Sequence, residues 1–383
     1  MCRILIFTGN RAEYGLLYPI IQELKKREKV KVQLAIGGAH VLRENGGTLR
    51  EIQQDGITPD YSMSYELPKD GRGDVPLIFS QTVKSGAKIL AQASPEILFI
   101  AGDRYETFAM AIAAYYRVLP IAHLFGGDLS QGGHLDDSVR HAITKLAHIH
   151  FTTNKDSMRR LIRLGEEPWR VHMVGSPIAD NLRKGYFTDP QMVAKKLGLN
   201  MQKPLLLFTQ HPVTTESKQA YFQIKESLEV LRPMGHQTVL TYPCNDSGSQ
   251  DMIRALKEYN GVPHFRIVEN LGTKKYLGLL QITSVVIGNS SSGIMETPFL
   301  NIPCVNIGTR QEGRLRGKNV IDVYYDRNEI SKGVSKALFD KNFGRGVMKF
   351  RNPYPQCEAS KKIADILENL TISEELLGKK CTY

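Results

Sequence analysis

Several residues capable of proton chemistry each follow an apolar run that reads as a strand. Asp103 follows "EILFIA" in "AGDRYE", Asp128, Asp136 and Asp137 sit in "LFGGDLSQGGHLDD", and His211 follows "PLLLF" in "FTQHPVTTES". Carboxylates and an imidazole at strand ends are the groups that move protons during bond cleavage. A second set suits an anion. Arg11 lies in "TGNRAEYG", the turn Ser290, Ser291, Ser292, Gly293 lies in "VVIGNSSSGIMETP", and Arg310, Arg314 and Arg316 share the loop "NIGTRQEGRLRG". Guanidinium forks and the backbone N–H groups of a helix start hold phosphate oxygens. The serine spacing is not that of a Walker loop. Glu296 is poorly placed for phosphate and well placed for ribose hydroxyls.

Each of these groups has a plainer reading. Asp103 and Arg104 can form a local ion pair or a helix cap. Asp136 or Asp137 can cap the helix that follows, with Asp137, His141 and Lys145 on its polar face and Val139, Ile143 and Leu146 on its apolar stripe. Three serines can cap a helix, and the arginine loop can be a solvated surface. A lone histidine after a strand is more often structural than catalytic. Two Gly-Gly pairs within one short acidic loop are harder to dismiss, because glycine lets a backbone approach a ligand closely.

The elements that must position these residues repeat in two series. "RILIFT", "VQLAI", "EILFIA", "PIAHLF", "HIHFTT" and "VHMVG" are strands of the first, and "PLLLFT", "QTVLTY", "HFRIVE", "SVVIG" and "PCVNI" of the second. Strands apolar on both faces and separated by helix-length segments predict parallel sheets built from βαβ units. At 383 residues the chain is too long for one core. The fold class expected is α/β, with two doubly wound Rossmann-like domains over 1–178 and 179–383, a hinge in 174–190, and a cleft between them. The last helix, "CEASKKIADILENL", can pack back on the first domain. Ligands in such sheets sit beyond the carboxyl ends of the strands, where all the residues above lie.

Composition narrows the partners. The net charge of +11 comes without basic runs interleaved with aromatics, which disfavours nucleic acid; an anionic metabolite and a generally basic solvated surface account for it equally well. Five separated cysteines form neither a zinc site nor a disulfide framework, and no apolar segment is long enough to span a membrane or start secretion. These features predict a cytoplasmic protein.

The ordered set "GNRAEYGLLYP", "GDRYE", "DDSVRHAITKLAH", "QHPVTT", "IGNSSSGIMET" and "VNIGTRQEGR" resembles the hydrolysing UDP-N-acetylglucosamine 2-epimerases over nearly the whole chain. The resemblance implies a glycosyltransferase-B-like fold and release of a nucleoside diphosphate with a free 2-epimerised sugar, as used in sialic and legionaminic acid synthesis. It gives Asp103 and Asp136 the carboxylate roles. Arg11, His211, Ser290, Ser291 and Arg310 fall to the diphosphate, and Glu296 to the ribose. His40, Arg104, Ser292 and Gly293 join them around the substrate. It implies no metal, no cofactor, a nucleotide-sugar substrate and a homodimer or homotetramer. Two positions depart from the family pattern. Phe125 stands where many relatives carry a catalytic glutamate, which makes Asp128 the substitute catalytic carboxylate, and Leu16 replaces an early lysine. A glycosyltransferase of the same fold or a non-hydrolysing 2-epimerase is the competing reading, and a non-catalytic nucleotide-sugar sensor is a third.

Overall fold

A computed structural model of the protein describes residues 1–41, 48–64, 75–130, 135–244, 246–355 and 358–382. The chain divides into two compact units. Unit 1 comprises Met1–Asp128, Leu135–Asn181 and Cys357–Tyr383, and unit 2 comprises Leu129–His134 and Leu182–Gln356.

In unit 1 the strands are β1 (Cys2–Thr8), β2 (Val30–Ile36), β3 (Tyr61–Ser62), β4 (Ile97–Ala101), β5 (Ile121–Leu124), β6 (Ile149–Thr152) and β7 (Val171–Met173). The helices are α1 (Arg11–Leu24), α2 (Leu49–Gln54), α3 (Val75–Ala93), α4 (Tyr105–Tyr115), α5 (Leu135–Leu146), α6 (Lys155–Arg163) and α7 (Pro177–Arg183), the last running into unit 2. Every pairing among the described residues is parallel, in the order β3-β2-β1-β4-β5-β6-β7. Strands such as "ILFIA" are buried along their whole length because helices cover both faces of the sheet. Asn10 and Asn154 start α1 and α6 by accepting the N–H of Glu13 and Ser157, at 3.0 and 2.9 Å.

In unit 2 the strands are β8 (Leu205–Thr209), β9 (Gln237–Thr241), β10 (Phe265–Val268), β11 (Val285–Gly288), β12 (Cys304–Ile307) and β13 (Val320–Val323). Helices α8 (Pro190–Leu197), α9 (Ala220–Met234), α10 (Ser249–Lys257), α11 (Thr273–Leu280), α12 (Ser292–Met295), α13 (Thr297–Leu300), α14 (Arg327–Phe339) and α15 (Lys341–Lys349) surround them. The order is β10-β9-β8-β11-β12-β13, again all parallel. Both sheets therefore reverse their winding once, between β1 and β4 in unit 1 and between β8 and β11 in unit 2. At such a switch point the two connecting loops part and leave a crevice for a ligand.

The chain returns to unit 1 through α16 (Ala359–Glu368) and α17 (Glu374–Leu377). Arg27, just beyond the end of α1, pairs with Asp365 at 2.6 Å, and the Ser360 N–H donates to Asp180 at 2.7 Å. Fully buried Arg170 donates to the carbonyls of Glu375 and Leu376, both at 2.7 Å. Lys379 reaches Glu166 at 2.6 Å and caps the carbonyl end of α5. Among the described residues no helix is long and apolar enough to cross a membrane.

Candidate active site

The unit 1 switch point is acidic. From β1 the chain passes Gly9 and Asn10 into α1, and from β4 it passes Gly102, Asp103 and Arg104 into α4. Asp103 and Arg104 find different partners rather than simply pairing as sequence neighbours. The Asp103 carboxylate accepts from Arg140, and Arg104 Nε donates to Glu106 at 3.3 Å. Arg140, only 2% exposed, also binds the Asp137 carboxylate and donates to the Asp128 carbonyl at 2.7 Å. One buried guanidinium thus gathers the end of β4, the start of α5 and the glycine loop after β5. A charge buried at this depth is tolerated because it is paired.

Helix α5 already begins at Leu135, so Asp136 and Asp137 lie inside its first turn and not at its cap. Their negative charge still favours the positive end of the helix dipole. Of the helix's apolar stripe, Ile143 is fully buried, with Val139 and Leu146 packed against the same core. The second Gly-Gly pair, Gly132 and Gly133, lies outside the described residues. Asp128 is nearly buried, and its carboxylate accepts from Ser157 Oγ at 2.6 Å and Thr153 Oγ1 at 3.1 Å. Phe125 is buried too, in the left-handed region at φ 73°, an unusual conformation for an aromatic residue.

Arg11 is the first residue of α1 and is half-buried. His40 is buried with both ring nitrogens on hydroxyls, Nε2 with Thr8 at 3.1 Å and Nδ1 with Thr48 at 2.9 Å. Burial pushes its imidazole down to about 4, so the ring is neutral at physiological pH.

The unit 2 switch point is built from neutral and cationic donors. Gly288 ends β11 at φ 119°, where a Cβ would stand 2.0 Å from the Thr209 carbonyl, so only glycine fits. Asn289, fully buried, then accepts the His211 N–H at 2.6 Å and donates to the His211 carbonyl at 2.8 Å. Its own carbonyl accepts from Gln311 Nε2 at 2.9 Å and Arg310 at 3.5 Å. Asn289 therefore joins the loop after β8 to the loop after β12. The Cys244 N–H donates to His211 Nδ1 at 2.9 Å, which leaves Nε2 to carry the ring proton of the neutral imidazole. This explains "QHP" where a plain turn would do. Gln210 is anchored under α9 by Ser227 at 2.7 Å, His211 is clamped on both sides, and Pro212 adds no amide to satisfy.

The arginine loop is tied down. Arg310 approaches Asp246 at 3.8 Å, Arg314 contacts Met295 Sδ at 2.7 Å, and Arg316 pairs with Asp322. Asp246 also accepts from the Cys244 thiol at 2.8 Å, and burial pushes that thiol up to about 12, which keeps it protonated. Across the serine turn, Ser292 donates to Glu296 at 2.6 Å and receives from Tyr276 at 2.7 Å. Burial pushes Glu296 up to about 7. Ser290 Oγ accepts the Ser292 N–H at 3.4 Å, Ser291 precedes α12, and Gly293 is buried within it. Among the described residues no group of three or more His, Cys, Asp or Glu is arranged to hold a metal ion.

A family model described as UDP-N-acetylglucosamine 2-epimerase matches residues 22–368. The chain belongs to this family. A relative from Legionella pneumophila, named UDP-N,N'-diacetylbacillosamine 2-epimerase (hydrolyzing), is 29% identical over 381 residues, covering 100% of this chain and 99% of the relative. The GDP/UDP-N,N'-diacetylbacillosamine 2-epimerase (hydrolyzing) of Campylobacter jejuni is 32% identical over 348 residues, 89% of this chain and 88% of its own. The crystal structure of the Neisseria meningitidis UDP-GlcNAc 2-epimerase bound to UDP-GlcNAc shares the fold, with a TM-score of 0.82 at 19% identity over 96% of this chain and 99% of that one.

Sequence reasoning missed the residues that hold this candidate site together. Arg140 lies three residues after Asp137 on the helix, a spacing that announces an ion pair. The polar face read through Asp137, His141 and Lys145 passed it by. Asn289 stood inside a quoted motif, yet nothing in its spacing tells that its side chain reaches back to His211. Glu13 and Glu106 likewise sat inside "GNRAEYG" and "GDRYE" without a role.

Proposed function

We propose that this enzyme converts a UDP- or GDP-linked N,N'-diacetylbacillosamine to the nucleoside diphosphate and the free 2-epimerised sugar. The full-length similarity to two relatives named for that sugar supports the donor. The observation that carries the reaction is the opposite chemistry of the two switch points. Unit 1 gathers carboxyls, and unit 2 gathers N–H donors around His211 and Arg310.

The steps follow from that division. The C1–O bond breaks with its electron pair leaving on the diphosphate, and oxocarbenium character develops at C1. The C2 proton, now more acidic, passes to a carboxylate, giving a glycal. Water then adds at C1 and a proton returns to C2 on the opposite face, so the product is a reducing sugar with inverted C2. Asp103 and Asp136 move the protons, with Asp128 as a third carboxylate. His211 Nε2, Arg310, Arg11 and the turn Ser290, Ser291, Ser292, Gly293 stabilise the departing diphosphate, while Glu296 takes the ribose hydroxyls. Arg104 and His40 complete the substrate surroundings from unit 1, His40 through the threonines it orders. The enzyme works in the cytoplasm as a homodimer or homotetramer, which light scattering checks.

The test is direct. Incubation with UDP-N-acetylglucosamine, and separately with UDP- and GDP-linked N,N'-diacetylbacillosamine, is followed by NMR in deuterated water. Nucleoside diphosphate plus a free C2-deuterated, manno-configured sugar is expected, fastest with a diacetamido donor. Transfer of the sugar to an acceptor, or no turnover of any donor, overturns the reading.

A further inference from the structure

Tyr276, Ser292 and Glu296 form a hydrogen-bond chain at the serine turn, and the reaction above gives its first member, Tyr276, no role. The helix that carries it, α11, sits at a fixed height. The Thr188 N–H donates to the Lys274 carbonyl at 2.9 Å, and a Cβ on Gly278 would stand 2.1 Å from the Thr188 carbonyl oxygen, so the helix meets this segment at a contact that only glycine allows. From there half-buried Tyr276 donates its hydroxyl proton to Ser292 Oγ at 2.7 Å. Buried Ser292 donates in turn to Glu296 Oε2 at 2.6 Å.

The direction of the chain is forced. An ionised carboxylate only accepts, so the single Ser292 proton points at Glu296, and the Tyr276 proton fills the Ser292 lone pair that remains. Among the described residues Ser292 is the one hydrogen-bond partner of the Glu296 carboxyl, and no cation pairs with it. Oε2 is thereby occupied, and Oε1 is left to a ligand. The terminal torsion of a glutamate is broad, so a carboxyl held by one freely turning hydroxyl has a loose orientation. Tyr276 removes that looseness, because its phenol stays where the helix puts it and allows the Ser292 hydroxyl one rotor position. Without Tyr276 the Ser292 oxygen would take a proton from its other partner, the Glu296 carboxyl, which burial raises to about 7. The bond would reverse, and the carboxylate would lose its donor.

We propose that Tyr276 is a positioning residue for the ribose. Through Ser292 it fixes the Glu296 carboxylate as an acceptor with Oε1 presented to the ribose hydroxyls, and so it sets the preference for a ribonucleotide over a deoxygenated one. The proposal rests on the assignment of Glu296 to the ribose.

The test compares nucleotides that differ only in the sugar of the nucleoside. Calorimetric affinities for UDP and 2′,3′-dideoxy-UDP, with GDP and its dideoxy form run beside them, are measured on the full chain and on Tyr276→Phe, which keeps the ring and removes the hydroxyl. The wild type should bind the ribonucleotide at least about tenfold more tightly than the dideoxy form. In Tyr276→Phe that ratio should fall by about threefold to tenfold, the worth of one well-placed hydrogen bond, with dideoxy affinity within about twofold of wild type. Ser292→Ala, which cuts the same chain in the middle, should lower the ratio as far, and it carries the test if Tyr276→Phe does not fold. Combining the two should lower it no further, since both act through one bond to Glu296. A Tyr276→Phe protein that keeps the full ratio, or that weakens both nucleotides alike as a loosened α11 would, overturns the positioning role and leaves Glu296 on the ribose. A wild type that binds both forms equally removes Glu296 from the ribose, and the proposal with it.

Discussion

The two switch points share a topology and little else. In both units the sheet winds outward from a central strand, reverses at the next central strand, and leaves two loops at the reversal. Unit 1 sets Asp103 in one of those loops and Glu13 and Glu106 in the first turns of the helices that follow, with Arg140 on Asp103 and Arg104 on Glu106. Unit 2 sets His211 and the buried amide of Asn289 there, and Asn289 draws in Arg310 from the loop after β12. The backbone frame dictates where chemistry can be placed, and the side chains at four loop positions decide which sign of charge it handles. Each element of the contrast can be broken separately.

The largest effect should come from Asp103→Asn. The amide cannot accept the sugar's proton, so turnover should drop about a hundredfold or more. Buried Arg140 would lose one charged partner while keeping Asp137 and the Asp128 carbonyl, at a cost of about 1–3 kcal/mol. Affinity for UDP, measured by calorimetry, should stay within about threefold, since its groups are assigned to unit 2 and to Arg11 rather than to Asp103. A variant with normal turnover would remove Asp103 from proton transfer and leave it only as an anchor for Arg140.

On the other side of the comparison, Arg310→Lys should weaken UDP binding about tenfold and slow leaving-group departure, because an ammonium replaces a fork with a single point of charge. The unit 1 carboxylates should be untouched, so C2 deuterium incorporation in the residual product should stay complete. Unchanged affinity would mean that Arg310 serves only to tie its loop to Asn289 and Asp246.

How far the sequence discloses this contrast depends on which interactions are local. The runs "RILIFT", "EILFIA", "PLLLFT" and "SVVIG" are apolar on both faces, so the parallel sheets and all four switch-point strands were legible from the apolar pattern alone. Two strands escaped. β3 is two residues long, and β13, "VIDV", is a half-exposed edge strand with an acid in it. The strand-end positions of Asp103, His211 and Arg310 were legible because each follows an apolar run that the sheet buries. Their partners were not. Arg140 meets Asp103 across 37 residues and Asn289 meets His211 across 78, distances over which no periodicity carries information. Glu13 was unreadable for another reason, since its carboxylate is held by the Gly9 N–H and by Thr107 on α4, and a sequence window contains only the first.

Glu296 sharpens the comparison through pH. Burial holds its carboxyl near 7, so below that pH it is protonated and offers the ribose one less charged acceptor. UDP affinity should therefore fall severalfold as pH drops from 8 to 6, and Glu296→Gln should show weak affinity with no such slope. The same raised pKa makes its contribution to stability full below about pH 4.5 and lost as pH rises through about 7. A pH-independent affinity in the wild type would separate Glu296 from the ribose.

The smallest effect is expected at Asp128, although it is the carboxylate that chemistry alone would place in the gap left by Phe125. Both of its closest hydroxyl donors, Ser157 at 2.6 Å and Thr153 at 3.1 Å, point at the same oxygen, Oδ1. An asparagine keeps that oxygen and both hydrogen bonds, so Asp128→Asn should cost no more than about 1 kcal/mol of stability. The Arg140 bond to the residue 128 carbonyl is indifferent to the side chain. With its carboxylate occupied inside unit 1, Asp128 is expected to brace the glycine loop more than to move a proton, so its amide variant should raise KM while lowering kcat less than tenfold. Full C2 labelling of the product at near-normal turnover would leave proton transfer to Asp103 and Asp136. A hundredfold fall in kcat with unaltered KM would show instead that the Ser157 and Thr153 bonds open during catalysis and that Asp128 moves a proton itself.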